Sequence, residues 1–194
     1  MPRKGANISL SSYDDIFETD ESRAESQLER VQNISISELV PFKDHPFKVV
    51  DDEAMLRTTE SIAQYGVLTP LIARPLEGGG YEIISGHRRH RASELAGKET
   101  MPAIVRDMDD DAAIILMVDS NLQRETLLPS ERAFAYRMKL DAIKHQGQTC
   151  GQVGHKSRDA LSDSDSGRQI QRYIRLTELI PEILDMVDNG QIKF

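Results

Sequence analysis

Tryptophan is absent from the 194 residues, aromatic side chains make up only 5% of them, and there is a single cysteine, Cys150. A lone thiol cannot close an internal disulfide, and without a second one there is no CxxC motif for zinc or redox chemistry. Cys150 is read as an incidental thiol, because nothing near it in sequence would lower its pKa. No apolar run approaches the roughly eighteen residues that a membrane span requires. The opening residues Met1 to Gly5 also lack the apolar stretch of a secretory signal, so a cytoplasmic protein without a membrane partner is expected. Basic residues are scarce too, with 24 Lys and Arg against 32 Asp and Glu and a net charge of −8.

That balance disfavours nucleic-acid binding unless the cations are concentrated, since phosphate neutralisation needs Lys and Arg. They are unevenly placed. Acidic residues crowd the first thirty positions and Asp107 to Asp111, whereas Lys156 to Arg175 holds five Lys or Arg against three Asp. The length allows one ordinary core or two small ones, and the sequence is read as two small domains.

Residues 1–33 are rich in Ser, Asp, Glu and Arg without sustained apolar periodicity, and are read as a disordered arm. Residues 34–108 read as an α/β domain. Ile34 to Ile36 alternates like a strand, and Asp51 and Asp52 offer an N-cap for a helix with Leu56, Thr59, Ile62 and Ala63 on its inner face and Gly66 at its end. Leu71 to Arg74, Gly78 to Gly80 and Tyr81 to Ser85 spell a β-hairpin. Gly86 then opens a helix that runs to Gly97, and Ala103 to Arg106 reads as a strand.

From residue 109 to 147 the chain reads as connecting helices. One spans Asp111 to Asp119, a polar connection covers Asn121 to Glu125, and a long helix begins at Pro129 with Ala133, Tyr136, Leu140 and Ile143 as its buried stripe. Gly147 to Gly154 is the best internal hinge. Residues 148–194 read as an all-helical unit, with a short helix near Arg158 to Leu161, another from about Gly167 to Leu179, and a last one from Pro181.

The corner at Gly86 points to chemistry. A strand turning through glycine into a helix presents unpaired N–H groups and the positive end of the helix dipole at one place, which suits phosphate. Arg88, Arg89 and Arg91 sit in or near that first turn. Helix electrostatics alone disfavour cations there, and a local rule broken in this way marks a ligand site; guanidinium groups can hold phosphate oxygens bidentately.

Gly86-His87-Arg88-Arg89-His90-Arg91-Ala92 resembles the arginine-rich box of ParB-type partition proteins. Gly66 to Leu71, Tyr81 to Ser85, Asn121-Leu122-Gln123-Arg124, Pro129-x-Glu131 and Ala135-Tyr136 resemble the other family segments in matching order, so the resemblance runs from about residue 34 to 145. It implies an α+β protein: a small mixed ParB/sulfiredoxin-like domain followed by a helical helix-turn-helix domain. It further implies CTP with Mg2+ as ligand, a homodimer that closes into a sliding clamp on centromere-like double-stranded DNA, a ParA-type partner ATPase, and association with the nucleoid. The nucleotide residues it carries over are Thr69, Ser85, Gly86, His87, Arg88, Arg89, Asn121 and Arg124, with Asn121 also near the metal. Two positions and one segment depart from the pattern. His87 and Ser120 stand where the family has carboxylates, and Asp44 to Phe47 replaces an Asn-Pro-x-Gln-Pro-Arg segment. If both side chains face the phosphates, metal dependence is weakened, and binding is expected rather than efficient hydrolysis.

A helix-turn-helix needs a second helix whose outer residues reach bases and phosphates. Arg168, Arg172 and Arg175 share one face of the helix after Ser166, flanked by Gln169 and Gln171, while Ile170, Tyr173, Ile174 and Thr177 form the inner face. With Lys156, Ser166 and these polar residues make up the expected DNA-binding set; the bland alternative is a solvated surface. The sequence has no counterpart of the family's C-terminal dimerisation domain, so a fragment is expected. Two further readings remain, a nucleotide-free DNA-binding regulator and an ATP-using small-molecule kinase on the same fold. Sulfiredoxin chemistry is set aside because Gly86 to Arg91 contains no cysteine.

Overall fold

The structure, a computed structural model, describes residues 30–124, 127–146 and 165–193. The hinge at 147–154, the short helix at 158–161, Cys150 and Lys156 lie outside them, as does nearly all of the N-terminal arm. Five strands, β1 (Val31–Ser35), β2 (Leu39–Pro41), β3 (Leu71–Pro75), β4 (Tyr81–Ser85) and β5 (Thr100–Val105), form a mixed sheet in the order β1-β5-β3-β4-β2. The β3–β4 hairpin is antiparallel, as the sequence suggests, with parallel neighbours on both sides, β5 against β3 and β2 against β4. β1 pairs antiparallel with β5, so that Ile34 lies opposite Met101; β5 therefore starts three residues before the expected Ala103.

Six helices are described: α1 (Glu53–Tyr65), α2 (His87–Leu95), α3 (Asp110–Leu122), α4 (Pro129–His145), α5 (Gly167–Leu176) and α6 (Pro181–Asp188). Their starts follow from local chemistry. Asp52 accepts a hydrogen bond from Met55 N at 2.8 Å and Asp109 one from Ala112 N at 2.7 Å, the N-cap arrangement that satisfies otherwise orphaned amides. Pro129 and Pro181 occupy first-turn positions, where a missing N–H costs nothing, and hold Leu128 and Ile180 extended before them.

Strand alternation splits the core. Ile83 and Ile84 are both fully buried but face opposite ways: Ile83 packs with Ile34, Leu71, Ala73, Met101 and Ala103, and Ile84 with Phe42, Phe47, Ala113, Met117 and Ala135. α3 and α4 thus close one side of the sheet. On α1, Ile62 is buried and Thr59 half-buried as expected, but Leu56 is 59% exposed and Ala63 is exposed, and Met55 is buried in place of Leu56.

α4 is buried on two sides, not along one stripe. Ala135 meets the sheet-side cluster, whereas Ala133 and Tyr136 meet α5 and α6 through Ile170, Leu176 and Val187. Buried Lys139 is neutralised by Asp119 of α3 at 2.6 Å. At the opposite end, Asp188 of α6 accepts from Ser130 N (2.9 Å) and Ser130 Oγ (2.5 Å) in the first turn of α4. The described residues from Val31 onward form one compact unit, and among them no helix is long and apolar enough to cross a membrane.

Candidate functional site

The corner between β4 and α2 depends on Gly86, whose φ of 111° is a backbone state that side chains disfavour. A Cβ there would also meet Leu71 Cβ at 2.9 Å and the Arg89 guanidinium at 3.2 Å. The glycine therefore lets Leu71 and Arg89 pack against the turn.

Four arginines, Arg57, Arg88, Arg89 and Arg124, line one cleft beside this corner. Its larger lobe, about 540 Å³, is lined by Lys48, Asp52, Arg88, Arg124 and Glu131 among others. A second lobe of about 410 Å³ is lined by Arg57, Ser61, Gly66, Thr69 and Arg89. Ala54 and Thr58 of α1 line both, so the lobes adjoin. The cations repel one another. Burial, followed by the charge of Arg124, lowers the Arg89 pKa, and burial followed by the charge of Arg88 lowers that of Arg124. Like charges gathered into a concave site favour an anion.

Each arginine is held differently. Arg89 donates to the carbonyls of Thr69 and Pro70, the latter at 2.8 Å, and so forms part of the wall. Arg88 pairs with Asp52 at 2.9 Å, and Arg91 with Asp51 at 2.7 Å and Glu94 at 3.4 Å. These partners offset cations that the helix dipole would otherwise penalise. The hydrogen bond from Arg88 holds the Asp52 pKa below the usual carboxylate value, as that from Arg91 does for Asp51.

The remaining expected residues are placed less directly. His87 does not line the cleft: it is 7% exposed, its Nε2 accepts from Phe42 N at 3.3 Å, and its ring lies 3.8 Å from that of His45. Burial, then the neighbouring His45 and His90, push its pKa down to about 3. Because α2 begins at residue 87, that side chain is turned inward while Arg88 points out. Ser85 is half-buried and pairs with Ile72 across the hairpin. Ser120 is exposed, with its hydroxyl donating to Met117 O at 2.9 Å. Asn121 belongs to α3 and not to a polar connection; it is 3% exposed and its Nδ2 donates to Met117 O at 2.7 Å. The assumption that His87 and Ser120 both face a bound phosphate therefore does not match the geometry.

His87 supports the cleft wall instead. The segment from Phe42 to Lys48 is tied down by His87, by Glu82 accepting from Lys43 N (3.0 Å), and by Glu131 accepting from Lys48 N (2.7 Å). Lys48, Arg57, Thr58, Ser61 and Asp52 were not singled out from sequence as cleft residues. The polar side of α1, with Arg57, Thr58 and Ser61 at helical spacing, was the available signal.

On α5, Arg168, Gln169, Gln171, Arg172 and Arg175 are exposed and Ile170 is buried, as the periodicity predicts, while Leu176, outside the expected inner face, is also buried and Tyr173, Ile174 and Thr177 are half-buried. Ser166 caps the helix by accepting from Gln169 N at 3.4 Å.

A family model described as the ParB N-terminal domain matches residues 20–122. The chromosome-partitioning protein Spo0J of Thermus thermophilus is 34% identical over 162 residues, 84% of this chain and 56% of that protein. Stage 0 sporulation protein J of Bacillus subtilis is 37% identical over 164 residues, 84% of this chain and 55% of that protein. The chain thus spans about half the length of the curated relatives it matches. Among solved structures, the C-terminally truncated ParB of Caulobacter crescentus complexed to the centromeric parS site is 25% identical with a TM-score of 0.57, over 84% of this chain and 80% of that one. With the family model matching more than half of its residues, the box at Gly86 opening a helix beside a cationic cleft, and the sheet and helices in the order described, the chain belongs to the ParB family.

Proposed function

We propose that this chain is the nucleotide- and DNA-binding part of a partition protein, in which CTP with Mg2+ occupies the cleft and switches a dimer on a centromere-like DNA site. The observation that carries the reading is the convergence of Arg88, Arg89 and Arg124 on one two-lobed cleft. Three guanidinium groups within a single concavity match a polyphosphate, and the adjoining lobe with Thr69 and the polar side of α1 has room for a nucleoside. Family membership favours CTP over other nucleotides. Magnesium would travel with the phosphates, as hard oxygen ligands hold it.

The exposed Arg168, Gln169, Gln171, Arg172 and Arg175 with Ser166 form the proposed DNA-reading helix; Lys156 would join them from outside the described residues. The relative solved on parS DNA supports this assignment of duplex DNA as partner. A ParA-type ATPase and a homodimer come from the same family reading, with a nucleoid location following from DNA binding.

Calorimetric titration with CTP, ATP, GTP and UTP in the presence of Mg2+ tests the ligand. CTP alone should bind, and Arg124→Ala should weaken it by about ten-fold or more, the cost of losing a charge-assisted phosphate contact. Arg124 is the sharper probe than Arg89, whose guanidinium also ties the Thr69 and Pro70 carbonyls and so contributes to the fold. Preference for ATP would point to the kinase reading, and binding of none to a nucleotide-free regulator.

A further inference from the structure

Two carboxylates line the larger lobe, and they differ in what they have left to offer. Glu131 is spent: its Oε1 accepts from Lys48 N at 2.7 Å and its Oε2 from Leu128 N at 3.1 Å. Asp52 is 48% exposed, and both of its hydrogen bonds to other described residues, from Met55 N at 2.8 Å and Arg88 at 2.9 Å, fall on Oδ1. Its position is fixed because it caps α1, and Oδ2 is left without a hydrogen bond to another described residue on a side chain that lines the cleft. The residue at the position of the family's acid, Ser120, gives its hydroxyl hydrogen to Met117 O, and the neighbouring Asn121 directs its amide nitrogen to the same carbonyl. Neither supplies an anionic oxygen.

We propose that Asp52 is the carboxylate ligand of the divalent cation that accompanies a nucleotide in this cleft. This rests on the nucleotide reading above. Binding is then an exchange of partners. Arg88 leaves Asp52 for a phosphate oxygen, and Asp52 turns its charge to a cation that the same phosphates share. The geometry allows the exchange because Arg88 and Asp52 are in contact. A phosphate held by Arg88 lies within reach of a cation that bonds carboxylate and phosphate oxygens at about 2.0–2.1 Å. Charge favours it too, since separating the pair without a cation would leave Asp52 beside the incoming phosphates, like charge against like. The same pair holds Arg88 against the start of α1, so the metal and the nucleotide would release each other's binding groups.

The test is Asp52→Asn, which retains an oxygen for Met55 N and so keeps the cap on α1, but lacks the charge for a cation. CTP affinity is measured calorimetrically in Mg2+ and in EDTA, and the electron paramagnetic resonance of Mn2+ is followed during titration with CTP. The parent should bind CTP about ten-fold or more tighter with Mg2+ than in EDTA. The variant should bind equally in both buffers, should bind in EDTA at least as tightly as the parent because Arg88 is free, and should fail to immobilise Mn2+ in the ternary mixture. Ser120→Ala should keep the parent's metal gain. A variant at position 52 that keeps the gain and immobilises Mn2+, or a parent that binds CTP without any gain, overturns the assignment while leaving nucleotide binding intact. If CTP fails to bind the parent in either buffer, the nucleotide reading itself fails, and the role of Asp52 falls with it.

Discussion

At the scale of single residues, His87 shows how a box position can serve the fold in place of the ligand. Its Nε2 accepts the Phe42 N–H, which only a neutral imidazole can do, and burial holds its pKa at about 3. His45 is lowered as well, by burial first. The consequence for stability has a definite sign. Above about pH 6.5 both folded and unfolded chains carry neutral histidine, and the contribution is whole. As the pH falls, the unfolded chain binds a proton that folded His87 refuses down to about pH 3, so stability declines by up to about 1.4 kcal/mol per pH unit for this group. Urea unfolding between about pH 6.5 and 4.5 should show the decline, and His87→Gln should flatten it. An unchanged slope in the variant would mean that His87 is protonated in the folded protein.

At the scale of elements, α5 carries a packing face and an exposed, arginine-bearing face along one ten-residue helix. Ile170 and Leu176 fix it on α4, and the Arg132 and Tyr136 side chains of α4 hold Asp165 just before its cap. Arg168 and Arg175 are left exposed on the other side. Substituting either by Ala should therefore leave the melting temperature within about 2 °C, consistent with small effects of exposed positions. It should also lower the slope of log DNA affinity against log salt by about 0.9 per lost phosphate contact. Gln169→Ala should instead alter preference among DNA sequences. Fluorescence anisotropy across a salt series separates these outcomes; no change from any of the three would remove α5 from the DNA interface.

At the scale of the whole molecule, α4 joins what the sequence divides. Ala135 belongs to the sheet-side core, and Ala133 and Tyr136 to the core shared with α5 and α6, two and one residues away. α4 is further secured by Asp188 at Ser130 in its first turn and by Asp119 at Lys139. Losing α5 and α6 would thus strip one face of a helix whose other face supports the sheet. Urea unfolding followed by far-ultraviolet circular dichroism and by tyrosine fluorescence, a signal summed over five tyrosines that include Tyr81 on the sheet and Tyr173 on α5, should give coincident midpoints. A two-step melt in which helical signal is lost first would show that the lobes fold independently.

Sequence by itself determined the elements whose signals are local. Gly78 to Gly80 between two apolar strands, Asp52 as a cap, Pro129 and Pro181 at helix starts, and the Gly86 turn into an arginine-bearing helix all depend on neighbours within a few residues. The ordered motifs from Gly66 to Tyr136 identified the family for the same reason. Only the tertiary structure decided which faces are buried and which polar groups are spent. Leu56 and Met55 are adjacent and both apolar, and their burial differs because α1 leans on α2 through Met55, Ile62 and Ala92. Likewise, nothing local distinguishes His87 from Arg88, or Glu131 from Asp52; partners 45, 83 and 36 residues away in sequence settle which of them turns inward and which keeps an oxygen for a ligand. Burial and pairing are properties of distant chain segments brought together, and periodicity along one segment cannot encode what packs against it.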